Sequence, residues 1–429
     1  MSVLAACGSD DDRGAATAES TSSEVGSVSS TTAATGAGTD STDVAVTAAS
    51  TTEASPTAEA CKVEGDPYKF MLITGTGPAT IGIDVIPGAE AAVKAVNAAG
   101  GVNCHPIEMK LCDAKSDPNL AGGCAREAVA DPSILATVGN AMLAGGADIN
   151  DVLQGAGMAA IATKAFTPAD YDAPNVFTVE AGGQSAPLGA FAHAAADGSK
   201  NIVFVRTDSA ASAATADLIK NVLLAGKEAK LAKDIAVPPT ATDMSVYAAE
   251  ATRDNPDAII LGSPRTQLLG LLQQIRTQGY TGPIYGPLSQ VSETILSEQS
   301  GYDIGDLRLI SPYSRVSDGW KQFTTEMAGV DFTEQAVNPW IGVHQFADVL
   351  KTITGEPTRE SVRAAMESLT GYSTGGLTPP LDYTTPGTVP GFSRLFNPGV
   401  LEYVYKDGAF LPAEPKEFID MLSGAVIPS

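Results

Sequence analysis

The string Gly371-Tyr372-Ser373-Thr374-Gly375 holds the residue types of a serine nucleophile in a Gly-x-Ser-x-Gly turn. That chemistry needs the serine at a sharp strand-to-helix turn, where its hydroxyl meets a general base. Here a predicted helix over 359–369 comes first, and Pro379 and Pro380 follow. The string therefore predicts a loop rather than an active site.

A glycine-rich string, Gly75-Thr76-Gly77-Pro78-Ala79-Thr80, follows a predicted strand and could cradle a dinucleotide phosphate. Its sixth position is Thr, and the chain continues through Pro87 before a helix is clear. No acid follows at the offset of about 20 residues that the ribose contact requires. We expect a ligand-facing loop or a plain turn here, and no cofactor.

General-base catalysis and metal binding both favour histidine, and the chain has three: His105, His193 and His344. They are far apart, and none lies in a His-Glu-x-x-His string or a metal-like cluster. We expect each to lie at the surface or in the core. The sequence predicts no catalytic residue and no metal site.

The five cysteines are distributed unevenly: Cys7 stands alone, and the others lie between residues 61 and 124. An even, clustered set predicts two disulfides and an oxidising compartment, with the odd cysteine modified. Zinc is the alternative, but no pair of cysteines has the spacing of a zinc finger.

Leu4-Ala5-Ala6-Cys7 resembles a bacterial lipobox, in which small residues precede a cysteine that is diacylated. We interpret residues 1–7 as a truncated signal with Cys7 as the lipidation site. A signal peptide needs an apolar region of about 7–15 residues, so we do not expect Met1 to be the natural start.

Residues 8–61 are dominated by Ser, Thr, Ala and Gly and contain no aromatic residue. Such a segment buries too little apolar surface to offset its ordering entropy, so we predict a disordered tether. Coil scaling gives it a typical reach of roughly 40 Å.

The formal net charge is −24, which would repel the phosphates of a nucleic acid, so we expect no nucleic-acid partner. No stretch approaches the roughly 20 apolar residues needed to cross a bilayer. We expect membrane contact through the lipid anchor only.

From about residue 66, short apolar strands alternate with amphipathic helices. Asp117-Pro118 predicts a helix start, with Asp as the N-cap. The alternation restarts near residue 184, which predicts two α/β lobes with parallel sheets. Strands are predicted at 70–73, 107–111, 134–138, 158–162, 176–179, 202–205, 235–237, 257–261, 283–285, 307–310 and 400–405. Helices are predicted around 89–96, 212–225, 246–253 and 268–278, and two more within 338–370.

The block from Gly88 to Asn103, followed by Pro106-Ile107, Asp113 and Asp117-Pro118, resembles the branched-chain amino-acid-binding (type I periplasmic-binding) family. These proteins are substrate-binding lipoproteins of ABC importers. Later matches at 138–139, 257–262, 274–280 and 284–287 keep the family's order, so the resemblance covers roughly residues 66–400.

The resemblance implies two Rossmann-like lobes joined by a three-segment hinge, with crossovers near 180–186, 311–316 and 392–398. The ligand should bind between the lobes, beyond the carboxyl ends of the strands. Hinge closure around it is the expected motion. We predict an N-terminal lobe of 62–183 plus 314–394 and a C-terminal lobe of 184–313 plus 395–429.

The segment Cys112–Cys124 is similar to a frequent disulfide variant of the family. Cys112 ends a predicted strand and Cys124 lies on the inner face of the next helix. Cys61 precedes the first strand, and Cys104 lies in the turn before the second. We therefore expect the pairs Cys112–Cys124 and Cys61–Cys104.

The family's pattern places a hydroxyl, an aromatic wall and an acid in the loops after the strands, for an amino acid. Here residues 140–146 contain no Ser or Thr, and Leu288 stands where the acid is expected, with Glu293 further on. We expect a small, carboxylate-bearing, partly apolar ligand instead of a plain branched-chain amino acid. The candidate contacts are Gly75, Thr76, Gly77, Asn140, Ala141, Met142, Lys164, Ala165, Phe166, Asp208, Ser263, Arg265, Leu288 and Trp340.

Lys164 and Arg265 follow strands of opposite lobes, which could make a carboxylate clamp. Arg265 would oppose the macrodipole at a helix start, so helix energetics do not explain it. The alternative is that each cation is solvated or ion-paired among the many acids.

We interpret the chain as the substrate-binding lipoprotein of an ABC importer, anchored at the outer face of the cell membrane. It would be a monomer that captures an amino-acid-like or carboxylate-bearing molecule and delivers it to ABC permease subunits. A membrane-tethered ligand sensor of the same fold is the alternative. A secreted enzyme is disfavoured because the sequence offers no catalytic set.

Overall fold

The computed structural model describes residues 63–76, 82–299, 303–414 and 416–427. The predicted lipobox, the predicted tether and Gly77 lie outside the described residues. None of the helices within the described ranges is both long enough and apolar enough to cross a membrane.

The first sheet has five parallel strands: β1 (Tyr68–Thr74), β2 (Ile107–Asp113), β3 (Ile134–Val138), β4 (Ala160–Ile161) and β5 (Val176–Phe177). Their order across the sheet is β2-β1-β3-β4-β5. Every residue of β3 is buried, as expected for a parallel strand covered on both faces, whereas the edge strand β2 is mostly half-exposed. The helices along this part of the chain are α1 (Gly82–Ala98), α2 (Pro118–Ala130), α3 (Gly146–Gly155) and α4 (Pro168–Asp172).

The second sheet has eight strands: β6 (Asn201–Thr207), β7 (Lys230–Val237), β8 (Ala258–Gly262), β9 (Ile284–Pro287), β10 (Leu307–Ser311), β11 (Gly399–Lys406), β12 (Ala409–Pro412) and β13 (Ile419–Asp420). The order is β12-β11-β10-β9-β8-β6-β7, with β13 beside β11. Strands β6 to β10 are parallel, and the C-terminal β11 pairs antiparallel with β10. The helices are α5 (Ser185–Ala196), α6 (Ala210–Leu218), α7 (Ser245–Thr252), α8 (Arg265–Thr277) and α9 (Glu293–Ser297).

Three further helices lie between β10 and β11 in the chain: α10 (Asp318–Glu326), α11 (Val337–Thr352) and α12 (Arg359–Glu367). They share one hydrophobic core with the first sheet, and the second sheet has separate core clusters. The chain therefore passes between the two sheets three times: after β5, after β10 and before β11. The predicted α/β fold with two lobes and a three-segment hinge is confirmed.

Helix α11 approaches its neighbours closely because small residues line the contact. A Cβ atom at Gly342 would lie 2.6 Å from the Cβ of Ala162, and one at Gly88 of α1 would lie 2.0 Å from the carbonyl oxygen of Ala336. Larger side chains would push α11 away from the carboxyl ends of β3 and β4. These glycines fix where the turn before α11 sits.

The predicted helix start at Asp117 is confirmed: its side chain accepts a hydrogen bond of 2.8 Å from the backbone N–H of Asn119. The helix predicted around 89–96 is longer than expected, because α1 begins at Gly82 and contains Pro87. The missing proline N–H removes one intrahelical hydrogen bond near the start of this 17-residue helix, which packs against α11. The helix predicted over 212–225 ends earlier, and a π turn over Ile219–Leu223 completes it.

The predicted disulfide between Cys112 and Cys124 is confirmed, with Cα atoms 5.8 Å apart. It joins the end of β2 to the inner face of α2. The predicted Cys61–Cys104 pair involves Cys61, which lies outside the described residues, and it stays a prediction.

Removing the cross-link should weaken the fold. The bond closes a loop with a sequence separation of 12, so the double replacement Cys112→Ser/Cys124→Ala should lower the free energy of unfolding by about 3 kcal/mol through loop entropy. Urea unfolding measures this, and in strong reductant the two proteins should converge. A difference that persists in reductant would show that packing, not the cross-link, was lost.

Candidate functional site

Hydrogen bonds tie the three segments that connect the lobes to one another and to β11. Asn397 Nδ2 donates to the carbonyl of Val179 at 3.0 Å, which joins the third segment to the first. The hydroxyl of Tyr403 on β11 donates to the carbonyl of Tyr313 at 3.0 Å, at the second segment. Hydrogen bonds therefore link the connecting segments in the region between the lobes.

A cavity of about 150 Å³ lies between the carboxyl end of β9 and the turn that precedes α11. One wall belongs to the second sheet's lobe, and the opposite wall follows α10 in the chain. Ligands of open α/β sheets bind at this edge, beyond the carboxyl ends of the strands. The residues that line it are Leu288, Val291, Ser292, Glu293, Thr294, Arg315, Val330, Asp331, Phe332, Thr333 and Glu334.

Glu334 is the most deeply buried charged residue of the cavity wall, with 3% of its surface exposed. It opens the 3-10 turn Glu334–Ala336 before α11. Its Oε2 accepts a hydrogen bond of 2.9 Å from the hydroxyl of Ser311, whereas its Oε1 accepts none from any described residue. Burial raises the pKa of Glu334 to about 7, against the opposing effects of Arg315 and the Ser311 hydrogen bond.

Arg315 crosses the cavity wall and is already held by other groups. Its Nη2 lies 3.0 Å from Glu293 Oε1, while its Nε lies 3.8 Å from Glu334 Oε1, too far for a hydrogen bond. The guanidinium also lies over the rings of Trp320 and Phe410, at 4.6 and 4.8 Å. Such contacts stabilise a cation in a partly dry environment.

Lys164 and Glu180 form a buried ion pair below the cavity, with 3.0 Å between Nζ and Oε1. Glu180 also accepts a hydrogen bond of 2.6 Å from the backbone N–H of Gly182, in the first connecting segment. The nearby hydroxyl of Tyr313 is buried and has no partner among the described residues. Burial, followed by the charges of Glu180 and Glu334, holds its pKa well above the usual value.

The candidates at the ends of β1 and β3 mainly connect strands. Thr76 donates its N–H to Asp113 at 3.0 Å, and Gly75 beside it is buried. Asn140 Oδ1 accepts the N–H of Ile73 at 3.1 Å, and its Nδ2 donates to Thr137 at 2.8 Å. Ala141 continues the pairing of the first sheet through isolated bridges, and Met142 packs in a hydrophobic cluster beside it.

Both cations of the proposed clamp have protein partners. Lys164 is paired with Glu180, and the Nε of Arg265 donates to the carbonyl of Gln290 at 2.9 Å. Arg265 thereby supports the turn Leu288–Gln290 that forms one wall of the cavity. Lys164 therefore fits the alternative in which the cation is ion-paired within the protein. Arg265 fits a role in positioning the turn Leu288–Gln290.

The remaining candidates are placed in different surroundings. The carbonyl of Ala165 accepts the N–H of Gly183 at 2.8 Å, and Phe166 beside it is half-buried. Asp208 is exposed, and Ser263 is buried with no hydrogen-bond partner for its hydroxyl among the described residues. Of the candidates that the structure describes, Leu288 lines the cavity.

Trp340 lies in the core of the first sheet's lobe. Its Nε1 donates to Glu326 at 2.7 Å, and its ring packs edge-on against Phe323 with centroids 5.6 Å apart. The same carboxylate oxygen lies 2.9 Å from His344 Nε2. These contacts indicate that Trp340 packs within the core of this lobe.

Sequence reasoning missed the two charged residues that dominate the cavity, Glu334 and Arg315. In the sequence, Glu334 follows Thr333 and precedes an apolar helix, the pattern of an acid in an exposed first helical turn. Nothing local indicates burial, because the carboxylate is covered by elements distant in the chain. Glu293, which follows the position where the family pattern places an acid, does line the cavity.

The residue types suited to catalysis are scattered. Ser373 lies in a loop between the left-handed glycines Gly371 and Gly375, without a strand before it or a helix after it, as predicted. His105 lies 2.7 Å from the carbonyl of Asp66, and burial lowers the pKa of His193 to about 4. Neither histidine is within the cavity lining.

A second depression, of about 300 Å³, lies at the amino ends of the second sheet's strands. Arg308 there contacts the carboxylates of Asp197, Asp306 and Glu402. Burial raises the pKa of Glu402 to about 7. Because it lies at the amino ends of the strands, this depression is not at the edge of the sheet where ligands of open α/β sheets bind.

Two parallel-sheet lobes, three connecting segments and a cavity between the lobes define a binding protein of the type I periplasmic class. A family model described as "Periplasmic binding protein" matches residues 71–389. The chain therefore belongs to this family of extracytoplasmic proteins, which bind small molecules for ABC transporters. A search of curated protein sequences finds no match.

Solved structures share this fold at low sequence identity. A substrate-binding periplasmic protein from Ralstonia solanacearum is 19% identical with a TM-score of 0.69, covering 81% of this chain and 100% of its own. The branched-chain amino acid transporter substrate binding protein LivJ from Streptococcus pneumoniae, in complex with isoleucine, is 18% identical with a TM-score of 0.67, covering 82% and 99%. An ABC transporter solute-binding protein from R. palustris, in complex with benzoate, is 18% identical with a TM-score of 0.65, covering 81% and 95%.

Breaking the Lys164–Glu180 pair should destabilise the protein strongly. Lys164→Met leaves a buried carboxylate without its partner, and the free energy of unfolding should fall by about 3–5 kcal/mol. Adding Glu180→Gln should restore most of the loss, because no unpaired charge remains. Urea unfolding measures both variants.

The matched control is the exposed pair of Lys200 and Glu228, 2.8 Å apart. Lys200→Met should lower stability by less than about 1 kcal/mol, because water screens that pair. An equally small effect of Lys164→Met would contradict the structural role of the buried pair.

Proposed function

We propose that this chain is the substrate-binding lipoprotein of an ABC importer. It captures a small molecule in the cavity between its lobes, closes around it by a hinge movement of the three connecting segments and delivers it to a permease. The observation that carries the proposal is the cavity itself, because its walls come from both lobes and would separate when the lobes open. Family membership supports the same role.

We propose that the lobes are divided near the predicted boundaries, at 183–184, 313–314 and 394–395. The core clusters support this to within a few residues, since residues from Tyr68 to Val179 pack with residues from Tyr313 to Tyr383. Residues from Ala181 to Ile310 pack with residues from Leu395 to Met421. Segments that connect two such cores are where hinge rotation requires the least repacking.

We propose that binding is reversible and that no covalent step occurs. The cavity brings carboxylates, one guanidinium, hydroxyls and apolar side chains together. Solved structures of the same fold are complexes with isoleucine in one case and with benzoate in another. The fold thus accommodates different ligands, and the side chains of this cavity must decide which one this chain takes.

Lipidation of Cys7 is the part of this proposal that can be tested first. When the full chain is expressed behind a lipoprotein signal peptide, it should collect in the membrane fraction and copurify with permease subunits in mild detergent. Cys7→Ser should release it, because the acyl chains supply the membrane affinity. Ser9→Ala, a neighbouring change that keeps the cysteine, should behave as the wild type.

The proposal of a lipoprotein is wrong if Cys7→Ser remains cell-associated and is processed in the same way as the wild type.

A further inference from the structure

The cavity and the region directly beneath it contain more negative than positive groups. Two cations are present, Lys164 and Arg315, and each has a close carboxylate of its own at 3.0 Å. Those partners are Glu180 and Glu293. Arg315 also lies near Glu334, with 3.8 Å between Nε and Oε1, so among the described residues two cations face three carboxylates: Glu180, Glu293 and Glu334. The exposed Asp331 adds to the excess at the cavity lining.

One carboxylate oxygen of Glu334 also lacks a hydrogen-bond donor among the described residues. Ser311 satisfies Oε2, but Oε1 is buried and receives no hydrogen bond from the described residues. A buried acceptor without a donor costs free energy, and a buried charge without one costs more. A bound molecule that brings an N–H donor and a positive charge to Oε1 would remove both penalties.

We propose that the cavity takes a compact organic cation with N–H donors, such as a primary ammonium, and that Glu334 is the residue that selects it. The inference rests on the proposed function and names its substrate class. Leu288, Val291 and Phe332 supply apolar surface for the remainder of the ligand. A cavity of this volume in another protein holds a molecule the size of benzene, so the ligand has roughly six to nine non-hydrogen atoms.

A carboxylate as the main recognition group fits this arrangement less well. Lys164 is neutralised by Glu180, and Arg265 is bonded to the carbonyl of Gln290. Arg315 Nη1 has no hydrogen-bond partner among the described residues, but its guanidinium is already paired with Glu293. An anion entering the cavity would meet the excess of acids, and the described part of the lining offers no unpaired cation to hold it.

The full chain can be tested with three probes that share one apolar skeleton. Isopentylamine carries the ammonium, isocaproamide carries a neutral N–H donor and isocaproate carries a carboxylate. Calorimetric titration should give the tightest binding for isopentylamine, weaker binding for the amide and none for the acid. Glu334→Gln should weaken isopentylamine binding about ten- to a hundredfold, because a charge-assisted hydrogen bond is lost.

Glu402→Gln is the matched control, since Glu402 is also a buried carboxyl with a raised pKa but lies away from the cavity. It should leave isopentylamine affinity within about twofold. Glu334→Asp keeps the charge on a shorter side chain and should give an intermediate loss. Thermal unfolding of each variant without ligand checks that it is folded.

The assignment is overturned if isocaproate or isocaproamide binds more tightly than isopentylamine. It is also overturned if a folded Glu334→Gln or Glu334→Asp variant binds the amine as the wild type does, or if the amine does not bind at about 10 mM, where millimolar affinity is detectable. If the chain is membrane-anchored and copurifies with permease subunits but does not bind amines, this inference is wrong and the proposed function stands. A chain that binds amines without anchoring or permease contradicts the proposed function instead.

Discussion

Charged side chains are buried together where the segments that connect the two lobes meet, and the free-energy cost of removing these charges from water is the main electrostatic constraint on this structure. The fold offsets that cost by pairing cations with carboxylates. Lys164 is held by Glu180, and Arg315 by Glu293 and two aromatic rings. Glu334 is the exception, because its one hydrogen bond comes from Ser311 and its other oxygen has no donor among the described residues. We interpret the missing hydrogen-bond donor of that carboxylate as the origin of the cavity's binding specificity.

Backbone packing places Glu334 in this position. Close contacts at Gly342 and Gly88 hold α11 against the first sheet and against α1, so the turn before α11 lies at the carboxyl ends of the strands. Hydrogen bonds between the connecting segments, such as the one from Asn397 to Val179, fix the opposite side of the frame. The cavity thus depends on tertiary contacts between residues that are far apart in the sequence.

The sequence was informative where short-range physics decides the outcome. The apolar runs predicted the parallel strands, Asp117-Pro118 predicted a helix start, and Cys112 with Cys124 predicted a cross-link. The candidate site was predicted less well, because residue type does not reveal a partner. Lys164 and its partner Glu180 are 16 residues apart, and Glu334 has the local pattern of an exposed acid in a first helical turn. Burial and charge balance are properties of the assembled structure, and they decide what these residues do.

The central claim is that Glu334 recognises an ammonium ligand, and proton release on binding tests it most directly. Burial raises the pKa of Glu334 to about 7. Among the described residues, the other charged or titratable groups around it are Arg315, Lys164, Glu293, Tyr313 and Asp331. An ammonium ligand stays protonated near neutral pH and should lower that pKa, so binding should release about half a proton at pH 7, nearly one at pH 6 and little at pH 8. Calorimetric titration of isopentylamine in buffers with different ionisation enthalpies measures this number, and Glu334→Gln should abolish the release. Binding without proton release, or with the same release in Glu334→Gln, would contradict the account.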